Sequence, residues 1–258
     1  MSSREKLVLL CLVAAIAGVL GIAVFGGCGG TPTTVVTVTA SPTAAMDGEN
    51  VSSPVATEAA EPAADQQEIK VEASGFGKKG ETLGYGAVLV NTSSTSDALE
   101  VSITVNALDS KGNVILSNSP SLTGIPAGEK FYLGGEMYLD KSDKPKKLEV
   151  YADVGSWESV NLGLPKVSNV KVVNQDYWGA KVRGQITNTL DGKLSSIALI
   201  GIVLFDSRDK VVGGGFAYLN ADLPSGRRAA FEAINGVNAT PYSTIHQAAV
   251  SMENAVAQ

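Results

Sequence analysis

An all-β body made of two tandem sandwiches is the fold the sequence predicts, and three observations predict it. Apolar and polar residues alternate in LEVSITVNAL (Leu99 to Leu108) and in KVRGQIT (Lys181 to Thr187), which is the period of a strand with one buried face. Turn-forming residues recur about every 8 to 12 residues, as in sandwiches and barrels, and no segment carries the period of a long helix. The third observation is an internal repeat. VNTSSTSDALEVSITVNALDSKGNVI (Val90 to Ile115) lies without a gap over TNTLDGKLSSIALIGIVLFDSRDKVV (Thr187 to Val212), matching Asn91 to Asn188, Asp109 to Asp206, Ser110 to Ser207 and Val114 to Val211. IPAGEKFYL (Ile125 to Leu133) then matches LPSGRRAAF (Leu223 to Phe231) with one residue inserted. One domain of about 90 residues therefore occurs twice, a size that can fold alone with modest stability.

The elements are taken in chain order. Arg4 and Lys6 precede an uninterrupted apolar run from Leu7 to Phe25, the layout of an export signal, and its length approaches the roughly 20 residues needed to span a bilayer. FGGCGG (Phe25 to Gly30) resembles the prokaryotic lipoprotein box, in which small residues precede a cysteine that is lipidated and becomes the mature N-terminus. Gly26, Gly27 and Cys28 fit that pattern, and Phe25 stands where a Leu-like residue is usual. Residues 1–28 thus read as a targeting segment with lipidation at Cys28, an uncleaved signal anchor and ordinary cleavage being the alternatives. All three place the body on the extracytoplasmic side of the cell membrane, the first two holding it there by lipid or by an N-terminal helix.

Residues 29–67 change composition to Thr, Ser, Pro, Ala and Val, with acids at Asp47, Glu49, Glu58, Glu61 and Asp65 and neither Lys, Arg nor an aromatic residue. Such a stretch cannot bury enough surface to order itself and reads as a disordered linker. The first sandwich is expected over 68–155, an interdomain linker over 156–164, and the second sandwich over 165–258. Trp157 falls between the copies, where it is expected to pack their junction. Within the second copy IALIGIVLF (Ile197 to Phe205) reads as a central strand, and GGGF (Gly213 to Phe216) as a bulge or a twist in an edge strand.

The most polar stretch of the repeat, Asp206-Ser207-Arg208-Asp209-Lys210, takes the place of Asp109-Ser110-Lys111-Gly112-Asn113. Asp at the start of a hairpin turn accepts backbone N–H groups a few residues on, which explains the shared Asp and Ser. A calcium loop needs more oxygen ligands at ordered spacing, and here two cations flank the carboxylates. After Cys28 the chain has no cysteine, so the body has no disulfide, no thiolate nucleophile and no cysteine metal site. His246 is the single histidine, which leaves no histidine cluster for a metal and makes it the one ring available to a Ser-His-Asp triad. From Glu68 onward positive and negative side chains nearly cancel, which is no footprint for nucleic acid. Tyr177 and Trp178 are the aromatic pair most open to an interaction surface, with core packing the plainer alternative.

Ile202-Val203-Leu204-Phe205-Asp206 resembles the F-x-L-Y-D motif of FxLYD domains, found in exported bacterial and archaeal proteins. Asn188 upstream and Pro224-Ser225-Gly226 downstream are similar to that family as well, and the first copy keeps chiefly Asp109 and the apolar parity before it. The resemblance implies immunoglobulin-like sandwiches and no assigned activity. The expected function is a non-enzymatic, membrane-tethered binding or scaffolding module of the cell envelope, with envelope proteins or glycans as partners and no cofactor or metal. The alternative is a ligand-capturing or hydrolytic envelope lipoprotein.

Overall fold

The computed structural model describes residues 67–176, 179–233, 238–239 and 245–255. The targeting segment with Cys28, the linker up to residue 66, and Tyr177 and Trp178 lie outside the described residues. Among the described residues the regular elements are strands, and they pair antiparallel throughout.

The first repeat comprises β1 (Ile69–Lys79), β2 (Thr82–Asn91), β3 (Asp97–Leu108), β4 (Val114–Asn118), β5 (Ser121–Ile125), β6 (Lys130–Tyr138) and β7 (Lys147–Glu158). β2 sits between β1 and β6 in one sheet. In the other, β3 is paired along its length with β7, while β4 and β5 share its opposite edge. β2 thus pairs with β6 rather than with β3, the crossover between sheets that makes a sandwich instead of a meander. Alternate residues meet in the middle: Leu83, Tyr85, Leu89, Ile103, Val105, Phe131 and Leu133 are fully buried in one cluster. The Tyr85 hydroxyl accepts a hydrogen bond from Asn118 Nδ2 at 3.0 Å, and burial pushes its pKa up to about 12.

The second repeat repeats the plan with β8 (Lys166–Asp176), β9 (Gly179–Thr187), β10 (Ile200–Phe205), β11 (Val211–Ala217), β12 (Arg228–Ala233), β13 (Asn238–Ala239) and β14 (Gln247–Met252). β9 lies between β8 and β12, and β10 between β11 and β14, with β13 beyond β11. Val182, Ile186, Ile200, Ile202, Leu204, Phe231 and Met252 form its core.

Equivalence of the copies extends to single hydrogen bonds. Asn91 is buried, donates from Nδ2 to Ser96 O (2.9 Å) and Ile125 O (3.0 Å), and accepts from Ser93 N at Oδ1 (3.0 Å). Asn188 donates to Gly192 O (2.7 Å) and Leu223 O (2.8 Å) and accepts from Leu190 N (3.0 Å). In both, one amide closes the loop behind its own strand and ties it to the segment that leads into β6 or β12. There Pro126 and Pro224 each open a turn whose third residue, Gly128 or Gly226, has φ of 70° or 71°, the left-handed region that favours glycine. Asn91 also begins an Asn-x-Ser triplet, but an amide so engaged has no room for a glycan.

The two repeats pack into one compact unit. The sheet β1-β2-β6 of the first repeat lies directly on β13-β11-β10-β14 of the second. The order of layers is therefore the β3 sheet, the β2 sheet, the β10 sheet and the β9 sheet. β2 and β10 are consequently buried on both faces. Where the middle sheets meet, side chains are missing: Gly75, Gly86 and Gly134 stand opposite one another across β1, β2 and β6, facing Gly201, Gly214 and the carbonyls of Gly213 and Gly215 in the second repeat. A Cβ on Gly134 would lie 2.0 Å from Gly215 O and 2.2 Å from Ile202 O, and one on Gly201 would lie 2.2 Å from Tyr132 O. Backbone touches backbone, at a separation no ordinary sandwich face allows. An apolar cluster of Val88, Val203, Phe205 and Val211, with Ala73, Tyr132 and Ala249 against it, continues the seam.

Two expectations shift and one is extended. β7 runs to Glu158, so Ser156, Trp157 and Glu158 belong to the first repeat rather than to the connection between repeats, and half-buried Trp157 packs against the first core. The central strand of the second repeat starts at Ile200. Ser195 turns the chain just before it, with Ala198 N donating to Ser195 O, and leaves Ile197 79% exposed. Gly213 to Gly215 lie within β11 beside the register shift of the expected bulge, and Gly214 serves the seam as well, since a Cβ there would lie 2.3 Å from Tyr85 O.

Candidate functional site

The repeated acidic turn is built as a turn. Asp109 Oδ1 accepts from Lys111 N (2.7 Å) and Asn113 N (3.0 Å), and Asp206 Oδ1 accepts from Arg208 N (2.8 Å) and Lys210 N (3.0 Å). Gly112 and Asp209 fill the left-handed position, with φ of 84° and 57°. The Asn113 amide and backbone N–H groups hold the Asp109 carboxyl below its usual range, and the N–H groups of Lys210 and Arg208 do the same for Asp206. Carboxylates occupied in this way organise a loop.

His246 is exposed, and its backbone N–H donates to Phe205 O at 2.8 Å. Among the described residues no group of three His, Cys, Asp or Glu could hold a metal ion.

A cleft of about 610 Å³ opens where the connection between repeats passes the seam, lined among others by Asp97, Lys130, Tyr132, Leu162, Ser251 and Met252. Its buried polar groups are bound into the fold. Buried Asp97 accepts from Ala127 N (2.9 Å) with one oxygen and from Leu162 N (2.8 Å) with the other, and Ser251 Oγ accepts from Tyr132 N (3.0 Å). Nearby, Glu253 Oε1 accepts from both Thr123 N (2.9 Å) and Thr123 Oγ1 (2.8 Å), joining the second repeat to β5 of the first.

The two outermost sheet faces are different. On the first repeat, Ser102, Asp153 and Tyr151 project to solvent, Tyr151 being 52% exposed. Glu100 lies over Gly155, Lys147 and the Tyr151 hydroxyl both reach Glu149 (2.9 and 2.7 Å), and Ser156 Oγ donates to Glu158 (3.0 Å). These contacts between residues two apart along β7 place Glu149, Tyr151 and Lys147 on one face. The Lys147 ammonium and then the Tyr151 hydroxyl lower the Glu149 pKa.

On the second repeat, Lys171, Arg183 and Glu232 stand in one row across β8, β9 and β12, and Lys166, Thr187 and Arg228 in another. Glu232 is bound by Arg183 and by Lys181 (3.4 Å), and Arg183 lowers its pKa. Between these rows is a hollow of about 410 Å³, lined by Asn169, Lys171, Arg183, Gln185, Ala230 and Glu232 among others. One outer face is thus acidic and the other basic. The alternation of Lys181, Arg183 and Gln185 in the strand sequence carried that signal, though not which sheet would remain uncovered.

No protein-family model matches the chain, and no curated protein sequence matches it.

The carboxylates with depressed pKa imply a pH dependence. Asp222 accepts from Lys193 Nζ (2.9 Å) and Ser196 N (2.8 Å), and the Lys193 bond chiefly lowers its pKa from 3.8 to about 2. A carboxylate more acidic when folded stabilises fully above its unfolded pKa and loses that stabilisation as pH falls through the folded value. Thermal melts followed by circular dichroism should therefore show Tm falling as pH drops from 3.8 towards 2, with Asp222→Asn removing part of the fall.

Proposed function

We propose that the protein is a non-enzymatic, membrane-tethered binding or scaffolding module of the cell envelope, made of two FxLYD-like repeats. One observation carries this reading. The carboxylates at the repeated turns and that of Asp97 in the junction cleft are engaged in holding loops, while the outer sheet faces present charged and aromatic side chains to solvent. Catalysis needs convergent polar groups in a concave site, whereas a binding module presents a sheet face or edge. Tethering at Cys28 through the Thr-, Ser-, Pro- and Ala-rich stretch that follows it would let the body search the space near the membrane.

Two experiments test the reading. Cys28→Ser should leave an unprocessed precursor that no longer takes up a fatty-acid analogue; a variant that fractionates and migrates like wild type would replace the lipid with an uncleaved signal anchor. Chemical crosslinking of the tagged full chain in intact cells should yield protein adducts. Absence of any adduct, together with a His246→Ala substitution that abolishes a measurable hydrolytic activity, would establish the enzyme alternative instead.

A further inference from the structure

We propose that the chain associates head to tail with further copies of itself, the acidic outer face of the first repeat docking on the basic outer face of the second. This rests on the binding-module reading and names the partner. Each repeat has a three-stranded and a four-stranded sheet. Inside the chain, the β1-β2-β6 sheet of the first repeat meets the four-stranded sheet of the second. That contact joins two different surfaces, so it is heterologous and leaves the complementary pair of faces unused at the two ends of the stack. A second copy placed by the same rule would bring its β9 sheet onto the β3 sheet of the first.

The free faces are suited to each other in charge. The β3 sheet presents Glu100, Glu149, Asp153 and Glu158 around Lys147. The β9 sheet presents Lys166, Lys171, Lys181, Arg183 and Arg228 around Glu232. Like faces repel and unlike faces attract, which fixes the head-to-tail sense. Shape agrees as well. Tyr151 stands 52% exposed amid the acids, and the hollow beside Lys171 and Arg183 has about 410 Å³ of space, enough for a phenol ring against a guanidinium. Neither outer face repeats the glycine rows of the internal seam, so association between chains is weaker than packing within one. Confinement of many tethered copies near one membrane raises their effective concentration.

The test is a charge swap in the full chain, purified in non-ionic detergent and followed by sedimentation velocity. Wild type should associate at ~50 mM salt and at least about tenfold more weakly at ~500 mM, where charges beyond a few ångströms are screened. The variant E149K/D153K carries two basic faces and K171E/R183E two acidic faces. Each alone should sediment as a monomer, while their mixture and the combined four-fold variant should associate again. Restored association in the combined variant also shows that the substitutions leave the fold intact. Milder E149Q/D153N and K171Q/R183Q versions serve if circular dichroism shows a fold loss. Monomeric wild type at low salt, salt-insensitive association, or single-face variants that associate like wild type would each overturn the proposal. So would failure of the mixture and of the combined variant. If other envelope proteins are still captured in cells, those outcomes leave the binding module standing with a different partner.

Discussion

Gly134→Val is expected to be the most damaging single substitution in the body. The new Cβ would sit 2.0 Å from Gly215 O and 2.2 Å from Ile202 O, and both are backbone atoms of sheets that cannot rotate aside. Overpacking a core with flexible side chains costs about 1–3 kcal/mol, and a clash between two backbones lies at or beyond the upper end of that range. Either the sandwiches separate or both unfold. Gly201→Val should behave alike, because its Cβ meets Tyr132 O at 2.2 Å. Gly80→Asn is the control: it lies at the β1–β2 turn with φ of 59° and nothing within 4 Å of a Cβ, and Asn tolerates that conformation. Denaturant unfolding of the three variants checks this, with a loss of more than about 3 kcal/mol at the seam and under about 1 kcal/mol at the turn.

The second large effect is expected at the paired asparagines. In Asn91→Ala the carbonyls of Ser96 and Ile125 lose their donor and Ser93 N loses its acceptor, inside a region where the amide is 1% exposed. An orphaned buried polar group costs about 1–3 kcal/mol, so the loss should reach about 3 kcal/mol or more. Asn188→Ala removes the equivalent bonds to Gly192, Leu223 and Leu190 and should cost a similar amount. Asn91→Asp keeps the acceptor but turns a carboxylate oxygen onto the carbonyls of Ser96 and Ile125 in a buried site, and should cost at least as much as alanine. Calorimetric melting of the three variants would show whether one amide per repeat secures the loop.

These two sites differ in how they could be read from the sequence. Asn91 and Asn188 align in the repeat, as do Asp109 and Asp206, because each supplies a specific side-chain bond that a second copy must also supply. Strand alternation was equally plain in β3 and β9, where one face is buried and the other wet. The glycine seam left no such trace. β2 and β10 are buried on both faces, so their polarity does not alternate, and a glycine chosen for close approach is the same letter as one chosen for a turn. Its rows also arise only after β1, β2 and β6 are paired in register. The fusion of the repeats into one stack, and with it the identity of the two uncovered faces, depends on that register. For the same reason Ile197 looked like the start of a buried strand: the turn that exposes it rests on the Ser195 hydroxyl and carbonyl.

The claim that partners bind on the outer sheet faces is tested most directly by photo-crosslinking in intact cells, with a photoreactive residue placed in the full chain at Tyr151, at Arg183, or at Leu162 in the junction cleft. A binding module that uses its outer faces gives protein adducts from the first two positions and few from the third. Adducts confined to Leu162, or none from either face while a small molecule is recovered at the cleft, would contradict it.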